Sequence, residues 1–125
     1  MIVKCKSSFR HQITEGDNYL VIEVLIRRTT NRISYRIIDN EGYPAIYEAD
    51  KFEVISNKLI DFAIKFDDEI IILSHTLILN SELNKMNIEG FWGLFSEDNE
   101  ETKIILKRVL TDLSSSENIK SPMII

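Results

Sequence analysis

Apolar and polar residues alternate along much of the first 60 positions, a pattern typical of strands that bury one face. The longest example is NYLVIEVLIRR, residues 18–28. One side of this segment is wholly apolar and is predicted to face the core; it comprises Leu20, Ile22, Val24 and Ile26. Weaker alternation predicts further strands at 2–6, 33–39, 43–49 and 52–56.

A second set of paired strands is predicted after residue 60. DFAIKF (61–66) and IIILSH (70–75) flank the polar turn DDE (67–69), which indicates a hairpin. The apolar side chains of its first strand are expected to pack against the isoleucines of the second. The following segment, residues 76–90, is predicted to be extended and then to become a polar loop.

Helical structure is predicted in two places near the C-terminus. GFWGLF (90–95) is apolar and contains two glycines, so a short helical turn that closes one end of the core is expected. Residues 99–113 are predicted to form a longer helix, with Asp98 as its N-cap and Glu101 completing a capping box. An apolar stripe supports this helix; it comprises Ile105, Leu106, Val109, Leu110 and Leu113.

Turn and core residues follow a recognisable order in the first half of the chain. A turn glycine leads into a long strand, a second strand ends in an Asp-x-x-Gly turn, and a short turn leads into Phe-Glu-Val. The residues are Gly16, Tyr19, Val21, Tyr35, Ile37, Asp39, Gly42, Phe52, Glu53, Val54 and Ile55. In this order residues 13–56 resemble the small bacterial SH3-like β-barrels, with residues 48–51 as the short helical turn. Within it, core positions are expected at Tyr35, Ile37, Phe52 and Val54.

The predicted fold class is α+β: an SH3-like barrel or strongly curved antiparallel β-sheet, with an added hairpin and a C-terminal α-helix. Residues 1–115 are expected to form a single globular domain, because a chain of 125 residues buries enough surface for one core. Residues 116–125, SENIKSPMII, are expected to form a flexible tail.

Cysteine usage and the apolar tracts indicate a compartment. Cys5 is the only cysteine, so an intrachain disulfide is impossible and a reducing environment such as the cytoplasm is expected. The N-terminal segment MIVKCKSSFRHQ lacks the apolar run of a secretory signal. The longest apolar tract, 70–79, is shorter than the roughly 20 residues that cross a bilayer, so no membrane insertion is expected.

Residues that carry catalytic or metal chemistry are sparse. His11 and His75 have no Cys or His at ligand spacing nearby, so no metal site is predicted. Cys5 lacks a neighbouring motif for nucleophilic catalysis, and there is no glycine-rich phosphate loop. We therefore expect a protein that is not an enzyme and that needs no cofactor.

Acidic charge is concentrated in the second half of the chain. The net charge is −5, and residues 61–125 contain 12 acidic but only 6 basic side chains. Such a surface favours a basic protein partner and repels the phosphates of nucleic acids. The candidate partner-binding residues are acids and one aromatic anchor: Asp67, Asp68, Glu69, Glu89, Trp92 and Glu97.

Two functions are consistent with these features. In size, acidity and expected compartment the chain is similar in general character to immunity proteins, which bind and neutralise bacterial toxin domains, so a basic toxin domain is the expected partner. The alternative is an SH3-like adaptor or RNA-associated module that uses the predicted 27–36 hairpin, which carries Arg27, Arg28, Arg32 and Arg36.

Overall fold

The computed structural model describes residues 1–86 and 88–125. In this part of the chain seven antiparallel strands form a sheet that does not close into a barrel, accompanied by three α-helices, so the α+β class is confirmed. The strands are β1 (Ile2–Cys5), β2 (Asn18–Arg27), β3 (Arg32–Ile38), β4 (Pro44–Glu48), β5 (Phe52–Ser56), β6 (Phe62–Phe66) and β7 (Ile70–His75). The helices are α1 (Thr76–Leu79), α2 (Gly90–Ser96) and α3 (Glu100–Glu117), with 3-10 turns at Ala49–Lys51 and Glu82–Lys85.

Strand β2 joins all parts of the sheet. Along one edge it pairs with β3, which in turn pairs with β4. Along the other edge its first residues pair with β1 and its last residues pair with β7. β5 extends the sheet beyond β1, and β6 extends it beyond β7. Because β1 and β7 pair with successive parts of the same edge of β2, the sheet divides there into two arms, one of β1 and β5 and the other of β7 and β6.

A β-bulge in β2 distributes its side chains between two cores. The register with β3 shifts between Val21 and Glu23, which adds one residue to β2 and interrupts the strict alternation. Ile22 therefore packs with the helices, whereas Val24 packs in a second core inside the curved sheet. The prediction of a single buried face from Leu20 to Ile26 was wrong for this reason.

The two cores lie on opposite sides of β2. The core on the helix side is built around Phe91, Leu106 and Leu110, all almost completely buried. The core inside the sheet is built mainly from side chains of β1, β2, β3 and β4, together with the first residue of β5. Its buried members include Val3, Ile13, Tyr35, Ile37, Tyr47 and Phe52.

One of the four predicted core residues of the first half is exposed. Tyr35, Ile37 and Phe52 are buried as predicted, but Val54 is 45% exposed. β5 pairs only with β1, so no strand of the described chain lies beyond it. Only the first residue of this edge strand lies over the core, and the pattern alone does not distinguish an edge strand from a central one.

The segment after β7 is helical, so the prediction of an extended chain at 76–90 was wrong in its first part. The His75 Nδ1 atom accepts a hydrogen bond from the Leu77 N–H and caps α1. The Ser81 hydroxyl accepts from the Leu83 N–H and begins the next 3-10 turn. A short apolar run fits a strand and a buried helix equally well. In this segment the caps formed by His75 and Ser81 favour helical turns over a strand.

The long C-terminal helix is confirmed, but its predicted cap was wrong. α3 begins at Glu100, and its N-cap is Asn99, whose Oδ1 accepts from the Thr102 N–H at 3.0 Å. Asp98 has a φ of 64°, which turns the chain before the helix, and its carboxylate pairs instead with Lys103 at 2.7 Å. Position N3 is therefore Thr102, so Glu101 does not complete a capping box.

The helix also ends later than predicted. It was expected to end at residue 113, and α3 continues to Glu117, past the start of the predicted tail at residue 116. Beyond it, Ile124 packs against the helix-side core, and the Ile125 N–H donates to the Gly42 carbonyl at 3.2 Å. The flexibility of this tail stays a prediction.

Within the described ranges no helix is both long and apolar enough to cross a membrane.

Replacement of the N-cap tests this account of α3. We expect Asn99→Ala to lower the free energy of unfolding by about 1 kcal/mol, because the Thr102 N–H loses its acceptor. Asp98→Asn is the matched control, since asparagine also tolerates a left-handed backbone, and it should cost less than Asn99→Ala because it weakens only the exposed pair with Lys103. Equal losses for both variants, measured by urea denaturation, would show that Asn99 is not the cap.

Candidate partner-binding cleft

A cleft of about 240 Å³ opens between the sheet and α2. Its floor is formed by side chains of β2, β3, β6 and β7, including Leu25, Lys65 and Ile72. Its wall is formed by α2 and by residues that precede it, among them the fully exposed Ile88. The cleft is therefore partly apolar and has charged residues on its floor and rim.

A buried ion pair lies at the base of this cleft. The bulge in β2 places Glu23 directly opposite Arg36 in the β2–β3 ladder. The Arg36 Nε donates to Glu23 Oε1 at 2.9 Å, and the side chains are only 13% and 5% exposed, respectively. Charges removed from water to this degree are tolerated only when they are paired and hydrogen-bonded.

Trp92 of α2 completes a three-residue cluster with this ion pair. The Trp92 Nε1–H donates to Glu23 Oε2 at 3.1 Å. The Arg36 guanidinium lies over the indole ring, 4.2 Å from its centroid, which is a cation–π geometry. Each side chain thus contacts the other two, so the indole is held in one orientation with part of its surface open to the cleft.

Asn84 holds the start of α2 in place. Its Nδ2 donates to the carbonyls of Ile78 and Leu79, and its Oδ1 accepts from the Phe91 N–H at 2.9 Å. A Cβ atom at Gly90 would lie 2.8 Å from this Oδ1, and Gly90 has a φ of 67°, so glycine is required there. Asn84 is a functional candidate that the sequence reasoning missed, since no spacing links it to α2.

The six predicted partner-binding residues occupy three places. Glu89 and Trp92 line the cleft together. Asp67, Asp68 and Glu69 form the exposed β6–β7 turn, which the Asp67 N–H closes by donating to the Ile70 carbonyl. Glu97 lies at the far end of α2, where it is the C-cap residue. The structure therefore brings two of the six into one site.

The predicted arginine cluster is interleaved with acids. The Arg32 guanidinium pairs with Glu48 at 3.0 Å, and Arg36 is paired with Glu23. The Arg28 N–H donates to the Glu69 carbonyl, so the acidic β6–β7 turn lies directly beside the arginine hairpin. This region is a mixed-charge surface, and the acidic and basic candidates are neighbours and do not form opposite faces.

His75 lies away from the cleft and has a structural contact. It ends β7, as predicted, and its ring is almost completely buried. Burial lowers its pKa below the ordinary value, although the nearby carboxylates of Asp112 and Asp61 act in the opposite direction. Since Nδ1 accepts the Leu77 N–H, the neutral ring carries its proton on Nε2, which is 3.6 Å from Asp112 Oδ2.

Comparison of the chain with protein-family models, with curated proteins and with solved structures found no significant match. Function therefore has to follow from the geometry and chemistry of the surface, because a fold alone does not specify an activity.

The ion pair gives a stability prediction. Glu23→Leu leaves the Arg36 charge buried without its carboxylate, so we expect the free energy of unfolding to fall by about 3–5 kcal/mol. The double variant Glu23→Leu with Arg36→Met replaces both charges by apolar groups and should recover part of that loss. A double variant less stable than Glu23→Leu alone, measured by urea denaturation, would contradict the pairing.

The buried histidine gives a pH prediction. The unfolded chain protonates this residue near its ordinary pKa of 6.5, before the folded protein does, because burial lowers the pKa in the folded state. Stability is therefore full above pH 6.5 and is expected to fall as the pH drops below it. His75→Gln should reduce this pH dependence, whereas the exposed His11→Gln should retain it; identical profiles of denaturation midpoint against pH would contradict the assignment.

Proposed function

We propose that this protein binds another protein through the cleft beside α2, and that the partner is a basic toxin domain which it neutralises in the cytoplasm, as an immunity protein does. The observation that carries this proposal is the fixed Trp92 side chain, bonded to a buried ion pair and partly open to the cleft. The proposal also holds that the protein is not an enzyme.

Preorganisation is the first support for a binding role. Residues that dominate protein interfaces are most often Trp, Tyr or Arg, set in well-packed surroundings. Holding an aromatic side chain in its bound orientation beforehand reduces the entropy lost on association. Trp92 meets both conditions, because Glu23 and Arg36 hold its ring in place.

The bonding within the cleft argues against acid–base catalysis there. Both carboxylate oxygens of Glu23 have donors, one from Arg36 and one from Trp92. Arg36 also donates through Nη1 to the Pro44 carbonyl at 3.2 Å. A general base needs a group free to take a proton from a substrate, and these groups are occupied by one another.

Charge supports a basic partner. Glu89 stands at the N-cap position of α2 and Glu97 at its C-cap, so both ends of the helix that carries Trp92 have an acid. The residues from 61 onward contain 12 acids and 6 bases. Acidic groups around an aromatic anchor accelerate encounter with a basic surface and repel nucleic acid.

We further infer that the first five strands are an SH3-like unit in open form. Their order in the sheet is β4-β3-β2-β1-β5, and a 3-10 turn at Ala49–Lys51 connects β4 to β5. The β6–β7 hairpin and the three helices are additions to this unit. An SH3-like unit would not identify the partner, because the candidate cleft is formed largely by those additions.

A binding experiment tests the proposal. Affinity-tagged protein, incubated with native lysate at low salt, should capture a basic protein whose toxicity in a heterologous host is abolished by co-expression of this chain. Trp92→Ala should weaken that complex by about 2 kcal/mol or more, if Trp92 is the anchor. Phe9→Ala is the control, since Phe9 is an exposed aromatic residue outside the cleft.

Neutralising the acidic turn or the adjacent arginines provides a second readout of the same experiment. Replacement of Asp67, Asp68 and Glu69 by Ser should slow association, most strongly at low salt, and should leave folding unchanged. Replacement of the adjacent Arg27 and Arg28 by Ser should leave the rate unchanged or raise it. If the arginine changes abolish binding, or if the captured material is RNA, the SH3-like adaptor or RNA-associated function replaces this proposal.

A further inference from the structure

Strand β6 forms an open edge of the sheet. It pairs with β7 on one side and with no described strand on the other. Two of its side chains are strongly exposed for apolar residues, Ile64 at 56% and Phe66 at 70%. They were predicted to pack against the isoleucines of β7, but β7 lies beside them in the same sheet and leaves their outer surfaces uncovered.

The register shows which backbone groups of β6 face this edge. The Asp67 N–H donates to the Ile70 carbonyl, and the Thr76 N–H donates to the Asp61 carbonyl. Hydrogen-bonded pairs recur at every second residue of an antiparallel ladder, so the odd-numbered residues of β6 bond to β7. The N–H and C=O groups of Phe62, Ile64 and Phe66 therefore point outward, and of these the Phe62 N–H already donates to Leu59.

The sheet has two further edges, β4 and β5, and β4 is protected at its start against strand addition. The edge strand β4 begins with Pro44, which has no N–H, and the Pro44 carbonyl accepts from Arg36. β6 contains no proline. An exposed, apolar edge strand with unpaired donors and acceptors is a template for another strand.

The sequence of β6, FAIKF, is nearly self-complementary when read antiparallel. With Ile64 on a twofold axis, Ile64 faces Ile64 of the second copy, and Phe66 faces Phe62 of the second copy. The free donors at Ile64 and Phe66 would then meet the carbonyls of Ile64 and Phe62, which gives four hydrogen bonds by symmetry. Apolar and aromatic pairs across strands are favourable pairings.

The single charge in β6 is compatible with this register. Lys65 would face Ala63 of the second copy, and its diagonal neighbours would be Asp61 and Lys65 of that copy. An axis on Lys65 would place two lysines directly opposite each other, which is unfavourable. The register centred on Ile64 avoids that lysine pair and, at the ends of the strands, places Asp61 of one copy opposite Asp67 of the other.

We propose that two copies of this chain associate through antiparallel pairing of their β6 strands, centred on Ile64, so that the sheet continues from one copy into the other. This proposal is argued from the backbone of β6 and does not rest on the cleft partner, although the two sites adjoin at Lys65, whose side chain lines the cleft.

Sedimentation equilibrium over a concentration series tests the association with the chain itself. The expected result is a species of twice the 14.5 kDa chain mass that dissociates on dilution. Ile64→Lys should raise the dissociation constant by about tenfold or more, because it places two like charges opposite each other across the axis. Ile33→Lys is the matched control; Ile33 is exposed at 42% but lies on β3, away from the edge, so the constant should be unchanged.

Cross-linking gives a readout that does not depend on a destabilising charge. Cα atoms of a hydrogen-bonded antiparallel pair are about 5.5 Å apart, within reach of a disulfide. Ile64→Cys should therefore form a disulfide dimer under mild oxidation, and Ile33→Cys should not; the native Cys5 is buried. A monomer at all concentrations, or a dimer that Ile33→Lys disrupts and Ile64→Lys does not, would overturn the proposal.

Discussion

The β-bulge at Val21–Glu23 is the constraint on which the rest of the arrangement depends. Without the extra residue, Glu23 would lie on the side of Tyr19 and Val21, among the apolar and tyrosine side chains of the core inside the curved sheet. With the bulge, the carboxylate faces the helices, opposite Arg36, and within reach of Trp92. A single backbone irregularity thus converts a costly buried acid into the support of the candidate site.

The helices depend on the strands for their positions through short polar contacts. His75 ends β7 and caps α1, and Asn84 links the end of α1 to the start of α2. Trp92 then fixes α2 against the sheet. Each contact satisfies backbone or side-chain groups that would otherwise be buried without a partner, so the path of the chain from β7 to α2 is determined by hydrogen bonding together with apolar burial.

The surface divides into regions of different chemistry that suit different contacts. The cleft offers an oriented aromatic ring, with acids at both ends of its helix, which suits a basic partner. The β6 edge offers unpaired backbone groups and exposed apolar side chains, which suit another strand. The arginine hairpin, by contrast, is interrupted by Glu48 and by the β6–β7 turn, which weakens its attraction for phosphate.

The sequence by itself determined the elements whose signals are local. Alternation located the strands, the apolar stripe located α3, and the resemblance to SH3-like barrels placed the short turn before Phe52. Tertiary structure decided everything that depends on neighbours distant along the chain: the burial of Glu23 beside Trp92, the exposure of Val54 on an edge strand, and the role of Asn84. Alternation fixes which side chains share a face, but it does not encode a bulge, an edge or a contact between residues 69 positions apart. For that reason Trp92 was identifiable from the sequence as a candidate anchor, whereas the ion pair that orients it was not.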